Sequence, residues 1–242
     1  MNFDPSSATD KLRLTLFLTP PHPCGYFPDR SAATLFVDPM YKMTPDIYQL
    51  LLGQGFRRSG VQVYRPYCGI CQECLPVRVP VELFRPGKSF RRILKKNRDV
   101  VAELSSPQFS QERFDLYQTY ITDRHGDGPM ANPSPDDFIS FLECSWGEAR
   151  FVDFRLQGRL VMVAVLDYQD DSLSAVYTYF DPAESQRSLG TFAILWEIEE
   201  AHRLGKEWFY MGYWVENCQK MSYKARFRPM ELYRGRKWEP LY

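Results

Sequence analysis

Tyr179-Phe180-Asp181-Pro182, Ser188-Leu189-Gly190 and Glu207 to Trp214 together decide the fold. The first ends a strand, the second opens a helix, and the third reads as another strand. Working back, Arg150 to Leu156, Arg159 to Tyr168 and Leu173 to Phe180 have strand patterning, with Gln157-Gly158 and Asp170-Asp171 at the turns. That spacing predicts an antiparallel meander. The helix runs from Leu189 to Leu204 and stops at Gly205. Working forward, Cys218 to Phe227 reads as a last helix. Lys220 and Lys224, four residues apart with Tyr223 beside them, would share one face of it. Cations next to the end of a buried strand suit an anionic ligand.

Three antiparallel strands, a glycine-initiated helix, another strand and a last helix is the order of the GCN5-related acyltransferase architecture. The expected class is α+β: a mixed, mainly antiparallel sheet flanked by helices, with a smaller Cys-containing N-terminal domain. Topology alone does not name a substrate. The boundary is placed at Ser105-Ser106-Pro107, giving residues 1–105, which include a basic segment, and an acyltransferase-like part over 106–242.

In the first part, Thr44-Pro45-Asp46 is an N-cap followed by Pro in the first turn, and Gly53 and Gly55 stop the helix that follows. Val61 to Arg65 and Val77 to Glu82 alternate as strands, and Pro80 inside the second points to an edge position. A helix is expected from Ser89 to about Val101. Phe114, Tyr117 and Ile121 mark one after Ser110, and Ser134-Pro135-Asp136-Asp137 starts another. The Gly-, Pro- and Asn-rich loop over 125–133 between them reads as a mobile connection.

With 44% apolar and 25% charged residues over 242 positions, the chain has ordinary globular composition, and whole-chain disorder is excluded. Thirty basic residues balance thirty acidic ones, so the distribution of charge matters more than its sum. Arg85 to Arg98 holds seven basic residues and no acid, whereas Asp136 to Glu200 holds thirteen acids and four arginines. Such a local field suits a polyanion. On a helix, Arg91, Arg92, Lys95 and Lys96 line adjoining faces over an inner stripe of Phe90, Ile93 and Leu94. They are the candidate RNA phosphate contacts, with a solvated helix face as the bland alternative. No run is long enough to span a membrane and no secretion signal is visible, so a soluble cytoplasmic protein with reduced thiols is expected.

Cys68, Cys71 and Cys74 are spaced for thiolates to converge on an ion or cluster, with Cys24 as the natural fourth ligand. The competing reading is a set of reduced thiols in a tight loop. Cys144 and Cys218 stand alone. Gln186 to Phe192 resembles the pyrophosphate loop of acyl-CoA enzymes, but bulky Phe192 stands where that loop has its last Gly or Ala. This speaks against a CoA-dependent N-acetyltransferase. None of the three histidines sits in a nucleophile–base motif.

The chain resembles the aminoacyl-tRNA–protein transferases of the N-degron pathway, most of all the bacterial branch that transfers leucine to N-terminal Asp or Glu. The resemblance rests on Cys24-Gly25-Tyr26, Gly60 to Pro66 leading into the Cys68/Cys71/Cys74 cluster, Arg91-Arg92 through Asn97, and Tyr179-Phe180-Asp181-Pro182. It continues through Ser188-Leu189-Gly190, Tyr210-Met211-Gly212-Tyr213 and Lys220-Met221-Ser222-Tyr223-Lys224. It implies leucyl-tRNA and acceptor proteins as partners, no cofactor required for the reaction, and a zinc ion or iron–sulfur cluster as an open question. Phe27 follows Tyr26 where the longer arginine-transferring branch has a cysteine.

The implied reaction is attack of a protein's α-amine on the aminoacyl ester of tRNA. The catalytic candidates are Tyr179, Asp181, Tyr213, Lys220, Tyr223 and Lys224. Tyr26, Arg78 and Gly190 are the substrate-binding candidates, with Arg78, Lys220 and Lys224 expected to read the acceptor's carboxylate. Arginine transfer to the same acceptors is the nearest alternative, and a non-enzymatic metal-bearing RNA-binding module is a further one.

Overall fold

A computed structural model describes residues 13–125 and 132–241, so most of the loop over 125–133 lies outside the described residues. The chain begins with β1 (Leu16–Leu18), a ribbon of β2 (His22–Pro23) and β3 (Ser31–Ala32), β4 (Thr34–Val37), α1 (Pro45–Gly53), β5 (Arg57–Ser59) and β6 (Gln62–Pro66). It continues through β7 (Leu75–Pro80), α2 (Lys88–Lys96), β8 (Val100–Ser105), α3 (Gln111–His125), α4 (Pro135–Leu142), β9 (Glu148–Leu156) and β10 (Arg159–Tyr168). Last come β11 (Ser172–Phe180), α5 (Leu189–Arg203), β12 (Trp208–Trp214), a 3-10 segment (Gln219–Arg226), β13 (Met230–Arg234) and β14 (Lys237–Leu241).

The small sheet has the order β1-β4-β6-β5, and the large one β14-β13-β7-β12-β11-β10-β9-β8. Every neighbouring pair in the large sheet is antiparallel except β11 and β12, which α5 joins as a crossover. β10 is buried along nearly its whole length because helices cover both sheet faces. Phe192, Ala193 and Ile198 of α5 pack with Phe90 of α2 and with Phe154 and Met162 on one face. Phe114 and Tyr117 of α3 and Phe138 of α4 pack with Phe151, Val163 and Tyr179 on the other. This is the α+β, acyltransferase-like order expected from the meander.

Local signals explain several element starts. Thr44 caps α1 through its hydroxyl, with Pro45 in the first turn. Ser134 and Asp137 form a reciprocal capping box on α4, of a kind that contributes on the order of 1 kcal/mol.

Four expectations need correction. α2 ends at Lys96, because the buried Asn97 amide donates to the carbonyls of Ile93 and Arg187, and the β-branched Val100 and Val101 then pair with β9. β7 is not an edge strand: it lies between β12 and β13, and β13 pairs it only at Val77 and Arg78, so neither Pro76 nor Pro80 opposes a β13 residue. The last helix is a 3-10 segment, and the β13–β14 hairpin after it was not anticipated. Finally, the large sheet crosses the boundary drawn near residue 105, since β7 and β8 both precede it.

Candidate functional site

β11 and β12 pair only where Ser172, Leu173 and Ser174 meet Trp208, Phe209 and Tyr210. Beyond that point the parallel strands part, and their remaining halves flank a notch. A cation is bound to each side. On the β11 side, Arg57 of β5 donates from Nη1 to Ser174 Oγ (2.9 Å) and from Nη2 to the Ala175 carbonyl. On the β12 side, Lys224 Nζ donates to the carbonyls of Met211 (2.8 Å) and Tyr213 (2.6 Å).

Gly212 lies between them at φ +82°, where β12 bulges against β7. A Cβ there would lie 3.5 Å from Lys224 Nζ and 3.9 Å from Arg57 Nε and Nη2. Glycine suits the positive φ of the turn, and a Cβ there would make only ordinary contact with the two cations. Arg57 and Lys224 are buried, and among the described residues neither forms an ion pair. Burial, and then the neighbouring Arg57, pushes the Lys224 ammonium down to about 7. Two desolvated cations without a carboxylate form an unfavourable arrangement that an anion would relieve.

Aromatic hydroxyls surround this pair. Tyr213 is buried and its hydroxyl donates to the Gly55 carbonyl at 2.9 Å, with the Tyr64 ring 6.4 Å away. Half-buried Tyr26 has its phenol pushed up by burial and then by Cys74 and Tyr64. Tyr223, 37% exposed, adjoins Lys224, and burial and then the carboxyl of Glu197 push its phenol up to about 12.

Other expected site residues are engaged elsewhere. Lys220 is exposed whereas Lys224 is buried. In a 3-10 segment residues three apart eclipse, so a four-residue spacing does not share a face. Arg78 is no free cation: Glu231 pairs with it at 2.7 Å, and it lies 3.4 Å from the Trp208 ring and 4.4 Å from that of Trp238. Asp181 accepts from Arg159 Nη1 at 2.5 Å and caps the Ala183 amide, so it is not a free proton acceptor. Tyr179 is a core residue of the α3 face, its ring edge-on to Tyr117 at 5.3 Å. Gly190 serves close packing, since a Cβ there would meet the Phe180 ring at 3.2 Å. Phe192 packs on Phe154 at 5.8 Å.

Two residues were missed in the sequence. Arg57 was hidden in a short strand, although strand alternation predicts that Arg57 and Arg58 diverge. Glu197 is fully buried on α5, and neither carboxyl oxygen has a hydrogen-bond partner. Burial pushes its carboxyl up to about 8. Its signal was a carboxylate on the same stripe as Ala193 and Ala201, on the inner face of the helix.

The four candidate thiol ligands share a neighbourhood: burial first, then Cys68, Cys24 and Cys71, push the Cys74 thiol up to about 12. Yet Cys71 accepts from Arg30, Cys68 lies 3.7 Å from the Ala33 carbonyl, and Cys24 accepts from the Tyr26 amide. Among the described residues no three His, Cys, Asp or Glu side chains are grouped to hold a metal ion.

α2 displays Arg91, Arg92, Lys95 and Lys96 on the surface, and Arg92, Lys95, Lys96, Arg98 and Asp99 line an open hollow. Lys96 Nζ donates to the Gln186 carbonyl and Arg187 pairs with Asp99, fastening this basic surface to the turn that precedes α5. No helix among the described residues is long and apolar enough to cross a membrane.

Family models described as "Arginine-tRNA-protein transferase" match the chain, the N terminus over residues 22–92 and the C terminus over 112–234. An aspartate/glutamate leucyltransferase of Pseudomonas fluorescens (strain SBW25) is 49% identical over 233 residues, 96% of this chain and 99% of that protein. One from Alcanivorax borkumensis is 48% identical over 231 residues, 96% of each. Among solved structures, the C-terminal domain of a putative lysylphosphatidylglycerol synthetase from Agrobacterium fabrum is similar at TM-score 0.48 and 15% identity, covering 83% of this chain and 64% of that one. FemX is similar at TM-score 0.46 and 11% identity, with 81% and 68% covered.

Proposed function

The chain belongs to the arginine-tRNA-protein transferase family, and from that membership we propose that it transfers leucine from leucyl-tRNA to the N-terminal α-amine of proteins beginning with Asp or Glu, marking them for degradation. The leucyltransferase relatives, matched over nearly their whole length, support leucine as the donor and acidic acceptors. The observation that carries the reading on this chain's own residues is the Arg57–Lys224 pair: two buried cations without a carboxylate, at the notch between β11 and β12.

In this reading the acceptor's side-chain carboxylate enters between Arg57 and Lys224. A charge-assisted hydrogen bond from each cation fixes the first residue and discriminates against an uncharged one. Free donors remain on both groups, because Lys224 has used two of its three and Arg57 two of its five. The basic surface of α2 takes the tRNA backbone, an attachment that carries little sequence information.

The ester is already activated, and an α-amine of unperturbed pKa about 8 has a useful neutral fraction near neutrality. Orientation of amine and carbonyl and removal of one proton then supply the catalysis. The test is incubation with leucyl-tRNA and peptides beginning with Asp, Glu or Ala, with arginyl-tRNA as a second donor arm. Leucine should enter the Asp and Glu peptides and not the Ala peptide. Equal incorporation into all three, none at all, or preference for arginine removes the assignment.

A further inference from the structure

The proposed reaction needs a proton acceptor, and the obvious groups near the notch are committed. Asp181 is held by Arg159 and the Ala183 amide. Lys224 is assigned as a cation to the acceptor's carboxylate and also donates to two carbonyls. The phenols of Tyr26, Tyr64, Tyr213 and Tyr223 are all pushed up by burial, so none ionises near neutrality. His202 is exposed and lies 3.7 Å from Glu82, far along α5 from Gly190.

Glu197 remains. It lies four residues beyond Ala193 and seven beyond Gly190, whose Cα carbon faces the Phe180 ring of β11, so the three share one stripe of the helix. α5 returns antiparallel to β11 between the two parallel strands it connects. At 1.5 Å per residue, that stripe carries Glu197 from the far end of β11 back toward the level where β11 and β12 part. Its electrostatic neighbour is Tyr223, and the residue after Tyr223 is Lys224 of the notch. A fully buried carboxyl with both oxygens unpartnered is costly unless a donor reaches it.

We propose that Glu197 is the general base of the transfer: approach past the half-exposed Tyr223 brings the acceptor's amine to its unpartnered oxygens. The inference rests on the leucyl-transfer reading. The neutral amine nitrogen attacks the ester carbonyl carbon, a C–N bond forms, and the carbonyl π electrons move to oxygen. Glu197 takes one proton from the now positive nitrogen. The intermediate collapses, the bond from carbonyl carbon to ribose oxygen breaks, and that oxygen leaves with the bonding pair and receives the proton from Glu197. The products are an amide and a free tRNA hydroxyl, and the carboxylate is restored.

Burial alone sets the affinity of Glu197 for its proton. Its titratable neighbour is Tyr223 of the 3-10 segment, and Tyr120 of α3 adjoins Tyr223 in turn. Lys224 turns to the β12 carbonyls, Trp214 of β12 offers a buried Nε1 without a partner, and Glu200 of the same helix is paired with Arg203. A base titrating near the working pH has the strength this role needs.

The test is the rate of leucine transfer from leucyl-tRNA to an Asp-headed peptide against pH, for the wild type, E197Q and E197D. In the wild type, kcat should rise with pH and level off near 8. E197Q should lose on the order of 100-fold or more in kcat, with both KM values within about twofold, while the limb set by the acceptor's own α-amine stays. E197D should recover part of the rate, and thermal melting at pH 6 should show both variants folded. An E197Q kcat within threefold of wild type overturns the proposal. A rise in the leucyl-tRNA KM at unchanged kcat also overturns it, placing the carboxyl on the donor's ammonium. Absence of turnover by the wild type would instead remove the leucyl-transfer reading, and this inference with it.

Discussion

Arg57 and Arg58 are consecutive on β5 and end in opposite surroundings. Arg58 forms a fork with Asp167, with contacts of 2.6 to 2.9 Å, and gives its remaining Nη1 to the carbonyls of Gly60, Leu142 and Glu143. Both side chains of that pair are almost wholly buried, at 0% and 3% exposure. Arg57, turned to the other face of the strand, reaches Ser174 and Ala175 and lies beside Lys224 with no carboxylate. A buried cation with its counter-ion inside the protein is structural. One whose counter-ion is missing is poised for a ligand that brings it.

The largest effect separating the two is on stability. Arg58→Ala would strand Asp167 and three carbonyls in the interior, a loss of about 3–5 kcal/mol, seen as a fall in Tm of roughly 10 °C. Arg57→Gln should leave Tm within a few degrees of wild type. Equal Tm losses in the two variants would break the comparison.

Next comes acceptor affinity. Arg57→Gln or Lys224→Met removes one charge-assisted bond to the acceptor, about 1.5–3 kcal/mol. The KM for Asp- and Glu-headed peptides should therefore rise roughly 10- to 100-fold, while that for leucyl-tRNA holds. A matching rise in the leucyl-tRNA KM would assign the pair to the tRNA instead.

The notch should also leave a signature in stability against pH. The Lys224 ammonium releases its proton near 7 in the folded chain, against 10.5 for an ordinary lysine. Between those values the unfolded chain binds the extra proton, so stability rises with pH, by at most about 1.4 kcal/mol per unit, and is lost as pH falls toward 7. Glu197 runs the other way. Its carboxyl protonates near 8 rather than 4.5, so the folded chain holds the extra proton and stability declines from about pH 4.5 to 8. Urea titrations of Lys224→Met and Glu197→Gln against wild type should each delete one slope. Parallel curves would show that these groups titrate normally.

The smallest effect is expected on α2. Arg91→Ala with Arg92→Ala should weaken tRNA binding a few-fold and reduce the slope of log affinity against log salt by about 2. An unchanged slope would take this helix out of the tRNA footprint.

Much of this was legible from local pattern. Thr44-Pro45 and Ser134 to Asp137 announced their helices, because a cap satisfies amides within three residues of itself. The meander and α5 were equally plain, since alternation and helical periodicity are properties of short windows. Lys224, Tyr223 and the basic helix were also singled out. Lys220, Asp181, Tyr179 and Arg78 were drawn in with them because residue type and neighbourhood in sequence do not reveal what a side chain touches. Local pattern carries the helix on to about Val101, although buried Asn97 reaches Arg187 and closes α2 first.

From the sequence alone came the class of fold, the order from the meander through α5 to β12, the basic helix and the family resemblance, each carried by residues that act within a few positions of one another. The tertiary structure decided which charges are spent and which remain available. Arg58 finds Asp167 across 109 residues and Arg78 finds Glu231 across 153, whereas Arg57, Lys224 and Glu197 find no ion-pair partner among the described residues. Such pairings depend on which distant segments the packed core brings together, and no local pattern in the chain encodes them.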